Sequence, residues 1–325
     1  MGNQYEQFYA EKLTKYASAS YDSVREKHNF AEYANRWFRV FSDPNIERVT
    51  STTYRRQLDL HIFPVIGHLN IEDVSVSDVQ TLFNRLGEDA SQETKNKVKT
   101  VLNQIFKMAV EDRLIGFNPL QSTTLKLKGH SSASVEPYSV AEMRYFVNRL
   151  RDIEKEEDRA WLALSVSLPL RPEEVLGLRW ENIEGNVLHV RNTVTHPARN
   201  NAEFKEYTKT NASRRDLVIP DWIIPFLGER GRPSDFVVGG CLPATYMKIR
   251  RMRERIAKQI DYDGTITPRR FRTTVATDIS DMTHDLKLVQ KMLGHATPQM
   301  TLKHYDKGRS TAVDASEAIC KCYGF

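Results

Sequence analysis

The chain has 325 residues, of which 40% are hydrophobic and 27% charged, and two domains with cores of their own are expected for this length. No apolar run is long enough to span a membrane and the N-terminus lacks a signal-peptide core, which excludes an integral membrane protein and favours a cytoplasmic one. The net charge of +5 suits a polyanionic partner without requiring one. The only cysteines are Cys241, Cys320 and Cys322, and no second pair completes a metal site with the last two, so no metal is expected. No cofactor is expected either.

After a polar lead-in over residues 1–27, the chain predicts a small all-helical domain over residues 28–120. Four amphipathic helices are predicted from apolar residues at helical spacing and from capping residues. The first begins at Asn29, the second spans Thr52 to Ile62, the third follows a cap at Ser77, and the fourth spans Gln92 to Arg113. Amphipathic helices joined by such short connections are typical of a helical bundle.

A change of composition at residues 121–135 predicts a flexible basic linker. The segment is rich in Ser, Thr and Gly, lacks acidic residues and carries Lys126, Lys128 and His130. It separates the first domain from a second one, predicted over residues 136–325.

The second domain is predicted to be mainly helical, beginning with a capping box formed by Ser139 and Glu142. Residues 186–194 and 214–220 have the composition of strands, and they predict neighbours in one small antiparallel sheet. The fold class is therefore expected to be mainly α, with a small antiparallel β-sheet in the second domain.

Three arginines of the second domain stand where helices are predicted to begin, and free backbone N–H groups at such positions favour an anion. Arg171 opens one helix, while Arg269 and Arg272 share one face of another. Each has a plainer explanation when taken alone. Arg171 could simply pair with Glu174, and the other two could form a solvated basic turn.

Three further residues of the second domain could act together with these arginines. Lys209 lies between the two predicted strands, His295 follows a helix end, and Tyr305 lies ten residues later. A solvated lysine, a capping histidine and a packing tyrosine are the ordinary explanations. Their order and spacing, rather than any one of them, carry the functional interpretation.

The full pattern is Arg171, Lys209, Arg269-x-x-Arg272, His295 and Tyr305, and it resembles that of the tyrosine recombinase (phage integrase) family. SLPLRPEEVLGLRW is similar to the first arginine box of this family, and ITPRRFRTTVAT with LGHATPQMTLKHY to the second. Residues 28–120 resemble the family's core-binding domain, so that the resemblance covers roughly residues 28–310 and makes the second domain the catalytic one.

The resemblance implies a site-specific DNA recombinase of a phage or conjugative element. Tyr305 would attack a DNA phosphate to form a 3′-phosphotyrosyl link, and Arg171 and Arg272 would clamp the phosphate oxygens. Lys209 would protonate the leaving 5′ oxygen. The remaining roles are a hydrogen bond from His295 to the phosphate and orientation of the arginines by Glu174.

The chain departs from the family pattern at Arg269, where a histidine is usual. A guanidinium can hold phosphate but is a poor proton acceptor. The general base for Tyr305 therefore stays open among water, His295 and His304. This departure also supports an alternative, a recombinase-derived protein that binds DNA without cleaving it.

Basic side chains outside this pattern predict contacts with the DNA backbone. These side chains point away from apolar positions, form a helical stripe, lie in the linker or belong to an arginine-rich helix. They are Arg55, Arg56, Lys95, Lys99, Lys126, Lys128, Arg250 and Arg251. A solvated surface explains any one of them equally well.

The expected partners are double-stranded attachment sites, three further copies of the chain in a tetramer on DNA, and accessory factors that bend DNA or set the direction of recombination. No membrane partner is expected, and the location predicted is the nucleoid of a bacterial cell. A resolvase of chromosome dimers from the same family is a second candidate.

Overall fold

The computed structural model describes residues 27–87, 90–127, 129–130, 135–198, 201–206 and 213–299. The chain divides into two compact units, with the boundary between residues 132 and 133. Within the described ranges, no helix has the length and apolar composition needed to cross a membrane.

The first unit is helical, and its apolar side chains form a core of their own. Its helices are α1 (Phe30–Trp37), α2 (Arg48–Gln57), α3 (Phe63–Ile66), α4 (Val76–Arg85) and α5 (Gln92–Glu111). The π-helical turns Phe38–Ser42 and Leu58–Ile62 continue α1 and α2. The predicted second helix begins four residues before Thr52, and its helical run continues past the predicted end at Ile62 directly into α3.

The N-cap of α4 is Ser75, so the predicted cap at Ser77 is wrong. The hydroxyl of Ser75 accepts from the N–H of Asp78 at 3.2 Å, and the Asp78 carboxylate accepts from the N–H of Ser75 at 2.9 Å. This reciprocal pair begins the helix two residues earlier than predicted, because only Ser75 has a carboxylate three residues ahead.

The expected linker differs from the structure over the part that is described. Residues 121–127 and 129–130 run along the first unit, held by Gln80 and Gln92. The Gln80 side chain accepts from the N–H of Lys126 at 2.8 Å, and that of Gln92 accepts from the N–H of Gly129 at 2.7 Å. Leu125 and Leu127 pack against the same core, so two apolar contacts and a set of hydrogen bonds hold this segment in place.

The second unit combines helices with two small antiparallel sheets. Its helices are α6 (Val140–Asn148), α7 (Glu156–Ser167), α8 (Pro172–Gly177), α9 (Tyr246–Gln259), α10 (Pro268–Thr283) and α11 (Leu286–Leu293). Its strands are β1 (Ile183–Glu184), β2 (Val187–Val190), β3 (Thr193–Ala198), β4 (Asn201–Lys205) and β5 (Arg215–Val218). The mainly α fold class is confirmed, as is the capping box of Ser139 and Glu142.

The predicted pairing of residues 186–194 with 214–220 is confirmed in one part only. Strand β2 pairs antiparallel with β5, with Leu188 opposite Leu217. The end of the first segment leaves this sheet and enters β3, which pairs with β4 instead. Gly177 of α8 approaches β3 so closely that a Cβ there would lie 2.6 Å from the Thr193 backbone.

Helix α7 lies at the centre of the second unit and is buried on most sides. Its Trp161 is 1% exposed, and the Trp161 ring lies 6.3 Å from that of Phe271 in α10. Four residues after α7 ends, the chain reaches Arg171. One buried helix therefore sets the positions of both arginine boxes.

Candidate active site

Arg171 is the residue from which α8 begins, and its side chain joins two segments of the unit. Its Nη1 donates to Oε1 of Glu174 at 2.7 Å, and its Nη2 donates to the carbonyl of Gly294 at 3.1 Å. The Glu174 carboxylate also accepts from the backbone N–H of Arg171 at 2.7 Å. The predicted ion pair is present, as one part of a larger cluster.

Arg272 reaches the same place from α10 and is almost buried, with 12% of its side chain exposed. Nη1 donates to the carbonyl of Pro169 at 2.6 Å, and Nη2 donates to the carbonyl of Leu293 at 2.9 Å. Nη1 also lies 3.8 Å from Oε2 of Glu174. Carbonyls at the entrance to α8 and at the end of α11 thus hold the guanidinium in one orientation.

His295 follows the end of α11 and lies against Arg272. Gly294 ends the helix with a φ of +63°, a left-handed conformation that glycine adopts without steric cost. Nε2 of His295 lies 3.3 Å from Nη2 of Arg272. A guanidinium only donates hydrogen bonds, so Nε2 is the acceptor in this contact and the ring proton lies on Nδ1.

Arg215 also belongs to the cluster, although it lies outside the predicted catalytic pattern. Its side chain, only 4% exposed, donates to both oxygens of Glu174 at 3.0 and 2.8 Å, and to the carbonyl of Met292 at 2.5 Å. A signal for it exists in the alternation of β5, where Arg215 and Leu217 face inward and Asp216 and Val218 outward. An arginine at an inward position of a strand indicates a buried ion pair.

Glu174 is the centre on which these guanidiniums converge. Burial would raise the pKa of its carboxyl group, but the hydrogen bonds and charge of Arg215, followed by the charges of Arg171 and Arg272, outweigh burial and hold the pKa below its ordinary value. Three guanidiniums against one carboxylate leave an excess of two positive charges. The cluster is therefore suited to bind an anion.

The lowered pKa of Glu174 predicts that acid weakens the second unit. The unfolded chain has the ordinary pKa of 4.5, so the stabilisation is complete above that pH and is lost as the pH falls from there through the lower pKa of the folded state. Urea unfolding midpoints should therefore fall more steeply as the pH decreases from about 5 to about 3 for the wild type than for Glu174→Gln. Parallel pH profiles would contradict the assignment.

The other predicted catalytic residues lie apart from this cluster or outside the described residues. Arg269 is exposed in the first turn of α10, and no hydrogen bond or ion pair joins its side chain to any residue in the described ranges. Lys209 and Tyr305 lie outside the described residues, as does Lys128.

One of the predicted DNA-contacting residues is not on the surface as expected. Lys95 is only 6% exposed, because it precedes the core residues Val98 and Leu102 by three and seven positions and so shares their face of α5. The prediction for Lys95 is wrong in this respect. Arg55 is partly exposed; it pairs with Asp59 and lies 5.4 Å from the ring of Phe63, and its contact with DNA stays a prediction.

The remaining predicted DNA contacts are exposed side chains. Arg250 pairs with Glu254 at 2.9 Å, one turn further along α9. The others that the structure describes are Arg56, Lys99, Lys126 and Arg251.

Two family models match the chain: the phage integrase family over residues 139–310, and the phage integrase central domain over residues 30–125. The chain belongs to the phage integrase family. The resemblance seen in the two arginine boxes is thereby confirmed, and the chain is a tyrosine recombinase, an enzyme class that cleaves and rejoins DNA.

The curated relatives include both a Xer-type tyrosine recombinase and a prophage integrase. This chain is 27% identical over 281 residues to tyrosine recombinase XerD of Ralstonia nicotianae, and the alignment covers 79% of this chain and 83% of that protein. It is 24% identical over 274 residues to prophage integrase IntZ of Escherichia coli, which covers 80% of this chain and 62% of that protein.

Solved structures share the fold of this integrase at low sequence identity. The Tn1549 transposon integrase in complex with transposon right end DNA matches with a TM-score of 0.74 at 19% identity, covering 91% of this chain and 99% of that one. A lambda integrase tetramer bound to a Holliday junction matches with a TM-score of 0.66 at 14% identity, covering 89% and 80%.

Proposed function

We propose that this integrase performs site-specific strand exchange for a mobile element, and that the Arg171–Arg272–His295 cluster binds the DNA phosphate to be cleaved. The observation that carries the proposal is the convergence of these three side chains, from three separate segments, around the buried carboxylate of Glu174. A planar guanidinium stays charged and donates in a fork that matches phosphate. Two of them can stabilise the charge that builds on the phosphate oxygens in the transition state.

Cleavage would proceed by attack of the Tyr305 hydroxyl oxygen on phosphorus. A bond forms between this oxygen and phosphorus while the bond from phosphorus to the 5′ oxygen breaks. The products are a 3′-phosphotyrosyl link and a 5′-hydroxyl, to which Lys209 would give a proton. The phosphotyrosyl link conserves the energy of the phosphodiester bond. Attack of a 5′-hydroxyl on this link therefore rejoins the strand without a cofactor.

The phenolic proton of Tyr305 needs an acceptor, and Arg269 cannot serve. The hydrogen-bond pattern supports His295 as one candidate beside water and His304, because its Nε2 carries no proton and could accept one after its hydrogen bond with Arg272 breaks. Once protonated, the same nitrogen could donate to a phosphate oxygen. His295 could thus fill both roles in sequence.

The wider assembly would be a tetramer on two duplexes, in line with the lambda integrase structure on a Holliday junction. Contacts with the DNA backbone would come from the exposed residues Arg56, Lys99, Lys126 and Arg251. Lys128, which is not among the described residues, would make the same kind of contact. Accessory factors that bend DNA or set direction would complete the reaction.

Replacing Tyr305 with phenylalanine should abolish covalent capture of DNA, because the attacking oxygen is removed. Purified wild-type protein should form an SDS-resistant adduct with a nicked attachment-site substrate, which traps the enzyme when the cleaved end diffuses away. The matched control is Tyr246→Phe, which changes an exposed tyrosine of α9 and should leave the adduct intact. An adduct that survives in Tyr305→Phe would show that another residue is the nucleophile.

A resolvase of chromosome dimers is the second candidate, because the curated relatives include tyrosine recombinases XerD and XerC as well as a prophage integrase. The choice of substrate separates the two. Cleavage of sites that flank the open reading frame supports a mobile element, whereas cleavage of a chromosomal site elsewhere supports a resolvase.

A further inference from the structure

A cleft of about 560 Å³ lies beside the cluster, between β5 and α11. Two of the residues that line it, Arg215 and His295, belong to the cluster itself. The other basic residues lining it are Arg191, Arg214, Lys287 and Lys291. The cleft is therefore a continuation of the cluster along the surface of the second unit.

Three cations in this cleft are not neutralised by neighbouring carboxylates. Arg214, Lys287 and Lys291 are exposed, and their side chains form no ion pair with any carboxylate that the structure describes. Arg191 does pair, with Asp216 at 2.6 Å. The pattern differs from that at two other exposed helical positions, Lys97 and Arg250, each of which pairs with an acid four residues away.

These paired surfaces give a direct comparison. Lys97 pairs with Glu93 at 2.8 Å, and Arg250 pairs with Glu254 at 2.9 Å. Lys287 and Lys291 also stand four residues apart on one face of α11, where a carboxylate at one position would form the same kind of pair. Two cations at these positions destabilise the helix by about as much as an ion pair would stabilise it. An anion that binds both lysines removes this repulsion.

We infer that this cleft binds the DNA backbone phosphates next to the one that is cleaved, an inference that rests on the proposed function. Lys287 and Lys291 are separated by about 6 Å along the helix axis, and successive phosphates of one strand by about 3.4 Å along the duplex. The spacing of the two lysines is thus close to two phosphate steps, about 6.8 Å, so their side chains and that of Arg214 can follow one strand as it leaves the cluster. Flexible point charges of this kind suit contacts that do not depend on base sequence.

An acidic segment of a second copy of the chain is the other kind of occupant for a basic cleft. The continuity with Arg215 and His295 favours DNA, because a strand whose phosphate sits in the cluster passes next to this surface. The two occupants make different predictions about salt and about oligomeric state.

The test is a salt titration of duplex binding by the full chain, with fluorescence anisotropy as the readout. Lys287→Gln/Lys291→Gln should flatten the plot of log binding constant against log salt by about 0.9 per lost phosphate contact, hence by about 1.8 in total. The matched control is Arg151→Gln/Lys155→Gln, which removes two exposed cations of the same unit that do not line the cleft. The control should keep the wild-type slope.

Neutral methylphosphonates placed singly beside the cleaved phosphate locate the contact on the DNA. They should weaken binding by the wild type and have no further effect on the double lysine variant. An unchanged slope in that variant, an equal change in the control, or a change in oligomeric state with normal salt dependence would each overturn the inference. Adduct formation by the wild type, measured in parallel, tests the proposed function separately, since it does not depend on these lysines being replaced.

Discussion

Replacing Arg272 with lysine is expected to slow formation of the covalent DNA adduct by about 10²- to 10³-fold. The guanidinium is held by the carbonyls of Pro169 and Leu293, at 2.6 and 2.9 Å, and meets His295 at 3.3 Å. An ammonium group keeps the charge but cannot satisfy both carbonyls and still present a planar fork to the phosphate. The affinity for duplex DNA should fall far less, because many other phosphate contacts contribute to it.

The rate is measured as single-turnover adduct formation at saturating protein, so that weaker binding does not enter. The matched control is Arg270→Lys in the same helix, whose guanidinium lies 3.9 Å from the Tyr138 ring centroid and donates to the carbonyl of Glu136 at 2.9 Å, outside the cluster. A rate for Arg272→Lys within a few-fold of the wild type would remove this residue from the catalytic set. Equal losses in both variants would indicate a general effect on the fold of α10.

Replacing Arg215 with alanine should lower the free energy of unfolding of the second unit by about 3 kcal/mol, because it takes away the main partner of a buried carboxylate. Glu174 keeps Arg171 at 2.7 Å and Arg272 at 3.8 Å, so the loss should lie at the low end of the range for broken buried pairs. The variant should also cleave DNA slowly even where it is folded, since Glu174 would no longer be held between β5 and α8.

Tryptophan fluorescence in urea measures this loss in the second unit alone if Trp37, the single tryptophan of the first unit, is first changed to phenylalanine. Arg149→Ala is the control, since its ion pair with Asp152 is exposed and should contribute little. Arg215→Lys should restore part of the stability but less of the cleavage rate, because one ammonium cannot bridge both oxygens of Glu174. A variant as stable as the wild type would contradict the assigned position of Arg215.

Some features of the site could be predicted because they depend on neighbouring residues. The helix that opens at Arg171, the capping box at Ser139, and the glycine turn before His295 each follow from a few adjacent side chains. Errors arose where two local patterns competed. Ser77 is a residue type that caps helices, but Ser75 is the serine with a carboxylate three residues ahead. Lys95 fits a basic stripe by its charge, but its spacing to Val98 places it on the core face.

The sequence alone predicted the mainly helical class from local spacing, and its two arginine boxes indicated the family and the chain order of the candidate catalytic residues by resemblance. Packing in three dimensions settled what surrounds them. Arg215 binds Glu174 from 41 positions away, and the chain at β5 and α11 brings to one cleft three cations that pair with no carboxylate among the described residues. The physical reason is that helix periodicity and capping involve residues a few positions apart. Contacts between distant segments depend instead on how the whole buried core is assembled around α7.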